Sequence, residues 1–209
     1  KISPNDSRNI SDDSTTLSYS DLYKLNKVKN IHSTDTGSSV SLGFDFKIND
    51  IDENKEVKKE KFRIGIGQII SAEENRDMPS KATLNKKMSD IIGETSFNFN
   101  ENIKITNNFL LDQNLENFNK NQIELGIVYP STNFNLSYLE ESEHIGSTKY
   151  IQTKAGFNFN NGLISLEAKR NLLTNSAEFY DLSYEYINDC LTAGVAFRRE
   201  FYRDRDVEP

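Results

Sequence analysis

Apolar and polar side chains alternate with a period of two from residue 39 to the end of the chain, and this alternation constrains the fold more than any other feature. In "SVSLGFDFKI", Val40, Leu42 and Phe44 share one face, and the serines and Gly43 between them share the other. Nine further runs repeat the spacing, and their apolar positions are Phe62, Ile64, Ile66; Phe97, Phe99; Ile103, Ile105, Phe109; Ile123, Leu125, Ile127, Tyr129; Phe134, Leu136, Tyr138; Ile151, Ala155, Phe157, Phe159; Ile164, Leu166, Ala168; Tyr180, Leu182, Tyr184, Tyr186; and Leu191, Ala193, Val195, Phe197. Because successive side chains of a strand point to opposite faces, the pattern predicts an all-β chain of about ten strands.

The connections between these runs alternate in length. The short ones are residues 100–102, 130–133, 160–162 and 188–189, and the longer ones are 71–90, 112–119, 141–147 and 171–176. In an up-and-down antiparallel sheet, alternate connections fall at the same end, so one end carries tight turns and the other carries loops. Outer-membrane barrels have this asymmetry, with short periplasmic turns. The sequence therefore favours an antiparallel up-and-down transmembrane β-barrel, although the long connection at 49–60 falls on the tight-turn side.

Composition favours the same interpretation. Only 35% of the residues are hydrophobic, which is little material for the core of a 209-residue chain. No run approaches the roughly 18 consecutive apolar residues of a membrane-spanning helix, and the first residues lack the apolar stretch of a signal peptide. A barrel wall needs only half of its strand residues to be apolar, because lipid supplies the rest of the nonpolar environment. A soluble β-sandwich is compatible with the same alternation and remains an alternative.

Residues for catalysis, for metal binding or for cofactor binding are not recognisable. His32 and His144 lie in polar connections with no zinc-ligand spacing, and "GIG" at 65–67 lies inside a strand, where its glycines make room on one face. Adjacent acids such as Asp12 and Asp13 point to opposite faces of a strand or lie in a solvated loop. The net charge is −7, with no basic strip for phosphates. We therefore expect neither an enzyme, nor a metal or cofactor, nor a nucleic-acid partner.

Several sequence blocks resemble the lipopolysaccharide-assembly outer-membrane protein family LptD. They are "PNDSRN", "SDLYKLNKVKN", "FRIGIGQII" and the long run from "GLISLEAKRN" to "FYRDRD". In that family the end of the barrel is a strand, a short turn with cysteine, a strand, an Arg-rich loop and one final strand. The resemblance divides the chain into a polar loop segment (1–38), barrel strands (39–202) and the start of an Arg/Asp-rich loop (203–209). It also implies that the chain stops before the final strand, as a fragment of the C-terminal part of the barrel.

The resemblance further implies translocation of lipopolysaccharide and its insertion into the outer leaflet of the outer membrane. The implied partners are lipopolysaccharide, an LptE-like lipoprotein plug, the periplasmic bridge proteins of the transport system and outer-membrane lipid. Gate residues are not assigned, because the family places its gate between its first and last strands. The alternatives are another outer-membrane barrel, such as a porin or an uptake receptor, and a soluble β-rich binding module.

Cys190 is the only cysteine, and it lies at the turn after Asp189, where some family members carry two adjacent cysteines. The family's cysteine at this position joins the barrel to its periplasmic domain. The resemblance therefore implies that Cys190 forms a disulfide with a cysteine outside this chain.

Alternation also assigns the two faces of the wall. Phe97, Leu125, Ile127 and Leu166 are expected to face lipid, where a charge near mid-strand costs about 2–4 kcal/mol. The opposite face carries Asn98, Glu124, Glu167 and Glu185. Lysine at those four positions is expected to be nearly neutral for folding, because water or a plug protein can solvate it.

Overall fold

The computed structural model describes residues 1–3, 16–28, 34–51, 57–81, 83–142 and 145–201. Eleven strands lie in these ranges: β1 (Ile2–Ser3), β2 (Gly37–Ile51), β3 (Val57–Ser71), β4 (Ile91–Asn98), β5 (Ile103–Leu111), β6 (Phe118–Tyr129), β7 (Thr132–Glu141), β8 (Thr148–Phe159), β9 (Gly162–Asn171), β10 (Ser176–Ile187) and β11 (Thr192–Glu200). Helix in these ranges is limited to the 3-10 turn Tyr19–Asp21, and no helix there is long and apolar enough to cross a membrane.

The strands form a single sheet in which each one is hydrogen-bonded to its neighbours in the chain, in the order β1 to β11. The ten predicted strands are β2 to β11, so the all-β, antiparallel up-and-down fold is confirmed. β1 is an additional two-residue strand, which pairs with the start of β2. β1 and β11 are the two ends of this strand order among the described residues.

The predicted alternation of connection lengths is confirmed from β3 to β9 but not beyond, where the four residues 172–175 join β9 to β10. Two residues join β6 to β7 and β8 to β9, whereas residues 72–90 join β3 to β4. The turn between β8 and β9 begins with Asn160 at φ 46, a left-handed conformation that asparagine tolerates better than most residues. The last turn is four residues long, 188–191, rather than two. It is longer because the Asn188 Oδ1 accepts the amide protons of Cys190 (3.0 Å) and Leu191 (2.7 Å), which fixes a wider turn.

The chain divides into two compact units. Unit 1 comprises Lys1–Phe97, Thr106–Gln122 and Glu141–Ser147, and unit 2 comprises Asn98–Ile105, Ile123–Glu140 and Thr148–Pro209. All of the buried large hydrophobic residues of the described chain belong to unit 1. They are Leu17, Tyr19, Leu22, Val28, Ile69, Met78, Leu84, Ile92, Leu110 and Ile145. In the described part of unit 2, apolar side chains remain half-buried or exposed, so that unit is a wall one layer thick.

Part of the predicted organisation lies outside the described residues. It includes the Arg/Asp-rich loop at 203–209, both histidines and the acidic pair at 12–13. The polar segment 1–38 is described only at 1–3, 16–28 and 34–38.

Candidate functional site

The apolar face of the sheet is exposed along the strands of both units. In unit 1, Phe44 of β2 is 63% exposed, and its neighbours Val40 and Leu42 are exposed as well. In unit 2, Val195 of β11 is 73% exposed. Leu166 and Phe97 are also exposed, whereas Leu125 and Ile127 are half-buried. Contiguous apolar surface on this scale is rare on proteins surrounded by water, and it suits a wall that meets lipid.

The polar face of unit 2 carries a row of charges across four strands, which we call the charge row. Lys154 in β8 is in register with Glu167 in β9, Glu167 with Asp181 in β10, and Asp181 with Arg198 in β11. The Lys154 Nζ lies 3.2 Å from the Glu167 Oε1, and the Arg198 Nε lies 3.5 Å from the Asp181 Oδ1. The two acids stand between the two bases, so cross-strand attraction at each end offsets the repulsion in the middle.

Glu167 has a second partner, because the side-chain amide of Gln152 donates to its Oε1 at 2.5 Å. A lysine at this position would lose both contacts and would face Lys154. We therefore revise the expectation that Glu167→Lys is neutral. Glu185 pairs across strands with Leu163 and Gly194 and is a better position for that test.

Small side chains border the charge row on the polar face. Gly156, Ser165, Ser183 and Ala196 are in register across β8 to β11. The side chain of Asn133 lies over Gly156, where its amide atoms would be 2.7 Å from an added Cβ. Together with the charge row, these residues line a depression of about 500 Å³. The result is a concave surface of mixed character, in which apolar residues such as Leu163 lie beside charged and hydroxyl groups that water or a polar partner can contact.

In unit 1, residues 17–28, which we call the packed loop, lie against the polar face of β2 and β3. Three glycines there leave room for three of its side chains. A Cβ on Gly65 would come within 2.5 Å of the Tyr19 ring, one on Gly67 within 2.6 Å of the Leu22 Cδ1, and one on Gly43 within 2.1 Å of the Tyr23 hydroxyl. The prediction that the "GIG" glycines make room on one face is confirmed.

A charged cluster lies beneath the Tyr19 ring. The Arg63 guanidinium is 5.6 Å from the ring centroid, donates to the Asp45 Oδ2 at 2.9 Å and lies 3.6 Å from the Glu94 Oε1. The Tyr19 hydroxyl donates to the Phe44 carbonyl oxygen at 3.2 Å. Burial, the hydrogen bond with Tyr23 and the negative charge of Asp45 raise the pKa of Tyr19 to about 12. These contacts fix the ring over the glycines in its neutral form.

Ion pairs hold the packed loop at two points, Asp21 and Lys27. Lys27 and Asp35 are both almost fully buried, and the Lys27 Nζ lies 3.8 Å from the Asp35 Oδ2. The side-chain ammonium of Lys1 also donates to the Asp35 carboxylate. Burial lowers the pKa of Lys27, and Asp35 offsets part of that effect. Burial also raises the pKa of Asp21, but hydrogen bonds from Lys24 and Ser18 outweigh it, and the pKa of Asp21 is lowered overall.

The sequence pattern alone predicts no role for the residues of the packed loop. The sequence signal that could have identified them is the presence of Tyr19 and Leu22 in an otherwise polar segment, together with the skipped glycines Gly65 and Gly67 of β3.

Cys190, the predicted disulfide residue, is exposed as a free thiol in the turn between β10 and β11. That turn lies at the same end of the sheet as the other tight turns. No group of three His, Cys, Asp or Glu side chains in the described part of the chain is arranged to hold a metal ion.

Comparison with known proteins agrees with the two-faced sheet. A search of individual curated proteins gives no significant match. The family model described as "LptD: LPS transport system D" matches residues 3–172. That range covers most of the 209 residues and includes the packed loop, its glycines and strands β2 to β9. The family consists of outer-membrane β-barrel proteins that act in lipopolysaccharide transport. With an exposed apolar face, a polar opposite face and a family match over most of its length, this chain belongs to the LptD family.

Proposed function

We propose that this chain forms part of the wall of an outer-membrane barrel that inserts lipopolysaccharide into the outer leaflet. The observation that carries the proposal is the two-faced sheet. Its apolar face is exposed from β2 to β11, and its polar face in unit 2 carries the charge row. A barrel wall needs both properties, because one face meets lipid and the other meets water or a partner. The family match supports lipopolysaccharide as the cargo.

The proposed mechanism is transport without covalent chemistry, so the protein is not an enzyme. Lipopolysaccharide has a charged, sugar-rich part and acyl chains, and these parts need different surroundings during insertion. The concave surface of unit 2 provides ion pairs and serine hydroxyls for the hydrated part. An LptE-like lipoprotein plug would occupy the polar side of the barrel, and the periplasmic bridge proteins would deliver the cargo. Outer-membrane lipid covers the apolar face.

The packed loop supports the same proposal. It lies on the polar face of β2 and β3, where its buried Leu22 and the glycine beneath it would otherwise be exposed to water. A loop fixed inside a barrel narrows the space next to the wall. We infer that it gives the plug and the cargo a fixed surface.

Wall variants of the whole protein test the proposal in cells depleted of the native copy. Leu166→Lys places a charge on the apolar face of β9, and Glu185→Lys places the same charge on the polar face of β10. We expect surface-labelled lipopolysaccharide on intact cells to fall with Leu166→Lys and to remain with Glu185→Lys. Unchanged surface lipopolysaccharide after depletion of the protein would refute the transport role. Equal behaviour of the two variants would refute the assignment of the faces.

We also propose that Cys190 forms a disulfide with a cysteine outside this chain. Support comes from the exposure of its thiol in a tight turn and from the oxidising periplasm, where such turns lie in outer-membrane barrels. Non-reducing and reducing gels of the whole protein, with and without Cys190→Ser, test the pairing. The native protein should change mobility on reduction, and the variant should lose that change. Identical mobility of the two proteins on both gels would count against the bridge.

A further inference from the structure

The apolar face of unit 2 contains a depression that a smooth lipid-facing wall would not need. It has a volume of about 370 Å³. Ala155 and Ala168 form part of its floor because their side chains are small, and Leu166, Leu182 and Phe197 border it. Its lining on this face is almost entirely aliphatic and aromatic, which suits a hydrocarbon chain.

Two arginines lie on the same face at the loop end of the strands. Leu166, Ala168 and Arg170 follow one another at every second position of β9, and Phe197 and Arg199 do so in β11. Tyr180 of β10 is in register with both Ala168 and Arg199. The arginines are therefore immediately beyond the depression, on two strands separated by one.

Both arginines lie in the third of the apolar band nearest the loops. Arg199 is seven residues beyond Thr192, the first residue of β11. At about 3.4 Å per residue and a tilt of about 40°, it lies about 18 Å from the turns, within an apolar band about 25 Å tall. Arg170 is eight residues beyond Gly162 and lies slightly further toward the loops. A charge on this face costs less toward the interface than at mid-depth, and a long arginine side chain at this depth can extend its guanidinium toward the border.

Neither guanidinium has an acidic partner among the described residues. Arg199 lies 4.8 Å from the Phe201 ring centroid, and Phe201 contacts Tyr180 edge to face at 5.5 Å. Arg170 donates to the Asn175 Oδ1 at 2.7 Å. Arg198 differs, because it lies on the polar face with Asp181 and Glu200 beside it. The cations of the apolar face thus retain donors for an anion.

We propose that this surface binds one phosphorylated outer-leaflet lipid, with an acyl chain in the depression and its phosphate against Arg170 and Arg199. The proposal rests on the proposed function, since it requires the apolar face to meet lipid. Guanidinium groups bind phosphate through paired N–H donors, and the aromatic rings beside Arg199 restrict its orientation. An uncharged or zwitterionic lipid gains less from two cations than an anionic one does.

Native mass spectrometry of the detergent-solubilised whole protein tests the site, with bisphosphorylated lipid A and phosphatidylethanolamine as probes. We expect lipid A to be retained by the native protein in preference to phosphatidylethanolamine. Each of Arg170→Gln and Arg199→Gln should weaken retention about tenfold. Ala168→Phe keeps the charges but fills the depression, and it should also weaken retention. Arg76→Gln is the matched control, because Arg76 is exposed in the connection between β3 and β4, and it should retain lipid A as the native protein does.

Retention of lipid A by the Arg170→Gln/Arg199→Gln double variant at the native level would overturn the site. An equal loss with Arg76→Gln, or equal retention of phosphatidylethanolamine, would overturn it too. The proposed function is scored separately by surface lipopolysaccharide in depleted cells. If that transport holds while lipid A retention does not depend on the arginines, only the site is wrong. If Leu166→Lys folds as well as the native protein, the face does not meet lipid and both proposals are wrong.

Discussion

Gly65→Ala should release the packed loop from the sheet. The added Cβ would lie 2.5 Å from two carbons of the Tyr19 ring, closer than non-bonded carbons approach. The three atoms nearest to it all belong to that ring, so the strand itself can remain in place. Gly67→Ala is less informative, because its Cβ would also meet the Leu42 carbonyl oxygen at 2.7 Å and would disturb the ladder between β2 and β3.

The size of the effect follows from the burial of Tyr19. Its side chain is 4% exposed, and full burial of a large apolar side chain stabilises by about 1.5–3 kcal/mol. A loss of about 2.5 kcal/mol would raise the population of the open loop about 60-fold. The Lys27 side chain is 3% exposed in the packed loop, so trypsin can cleave after it only when the loop opens. Cleavage should therefore accelerate by a similar factor when opening is fast relative to cleavage.

The assay is limited trypsin digestion of the folded whole protein in detergent, with the cut after Lys27 identified by mass spectrometry. Gly126→Ala is the control, since its Cβ would have only the Lys104 carbonyl oxygen nearby, at 3.9 Å. Tyr19→Ala should accelerate cleavage by itself, and Gly65→Ala should add little to it, because the clashing ring is gone. Cleavage of Gly65→Ala at the native rate would refute this explanation of the glycine. So would a Tyr19→Ala/Gly65→Ala double variant in which the two accelerations of cleavage combine in full.

The remaining predictions concern the wall and the charges of the packed loop. Leu166→Lys should cost about 2–4 kcal/mol of barrel stability and Glu185→Lys almost nothing, as read from heat-modifiable gel mobility after folding into bilayers; equal shifts would contradict this. Tyr19→Phe should remove from the tyrosinate absorbance titration a component with a midpoint of about 12. Because the pKa of Tyr19 is raised in the folded protein, the stabilisation from its neutral hydroxyl is complete below pH 10 and is lost as the pH rises to 12. If Tyr19→Phe instead removed a tyrosinate component with a midpoint near 10, this would contradict the raised pKa. The pKa of Asp21 is lowered, so its contribution is present above pH 3.8 and is lost as pH falls through the lower folded value. Acid-induced opening of the packed loop, measured by hydrogen exchange, should therefore be absent in Asp21→Asn. Asp35→Asn should destabilise the loop by about 3–5 kcal/mol, because it leaves buried cations unpaired; tryptic release at the native rate would contradict it.

The strands and the alternating connections were predictable from sequence because both are local signals. Side-chain alternation in residues 40–48 needs no knowledge of any other strand. The short turn at Asn160 and the long connection at 72–90 are visible as composition. The turn around Cys190 was predicted two residues too short, because the wider turn depends on a side-chain hydrogen bond from Asn188 rather than on residue type alone.

The polar-face contacts were not predictable in the same way, because they depend on register and on distant partners. The charge row needs four strands aligned so that Lys154, Glu167, Asp181 and Arg198 meet, and a shift of one residue would turn each of these side chains to the other face. The packed loop needs Tyr19 to meet Gly65, which is 46 positions further along the chain. A few large apolar residues in a polar segment predict this packing only when the positions of the glycines opposite them are known.

The two units remove apolar surface from water in different ways, and this difference explains their side chains. Unit 1 packs its loops over the polar face, so Leu22, Ile69 and Ile92 are buried within the protein itself. Its glycines are required because two layers must approach closely there. Unit 2 has no such layer among its described residues, and its apolar side chains, such as Val195, lose contact with water only where lipid covers them. Its polar face therefore relies on ion pairs such as Lys154 with Glu167 rather than on a core. Exposed ion pairs can exchange water for a polar partner at a small free-energy cost. Opening the packed loop costs more free energy, because it first exposes buried apolar area to water.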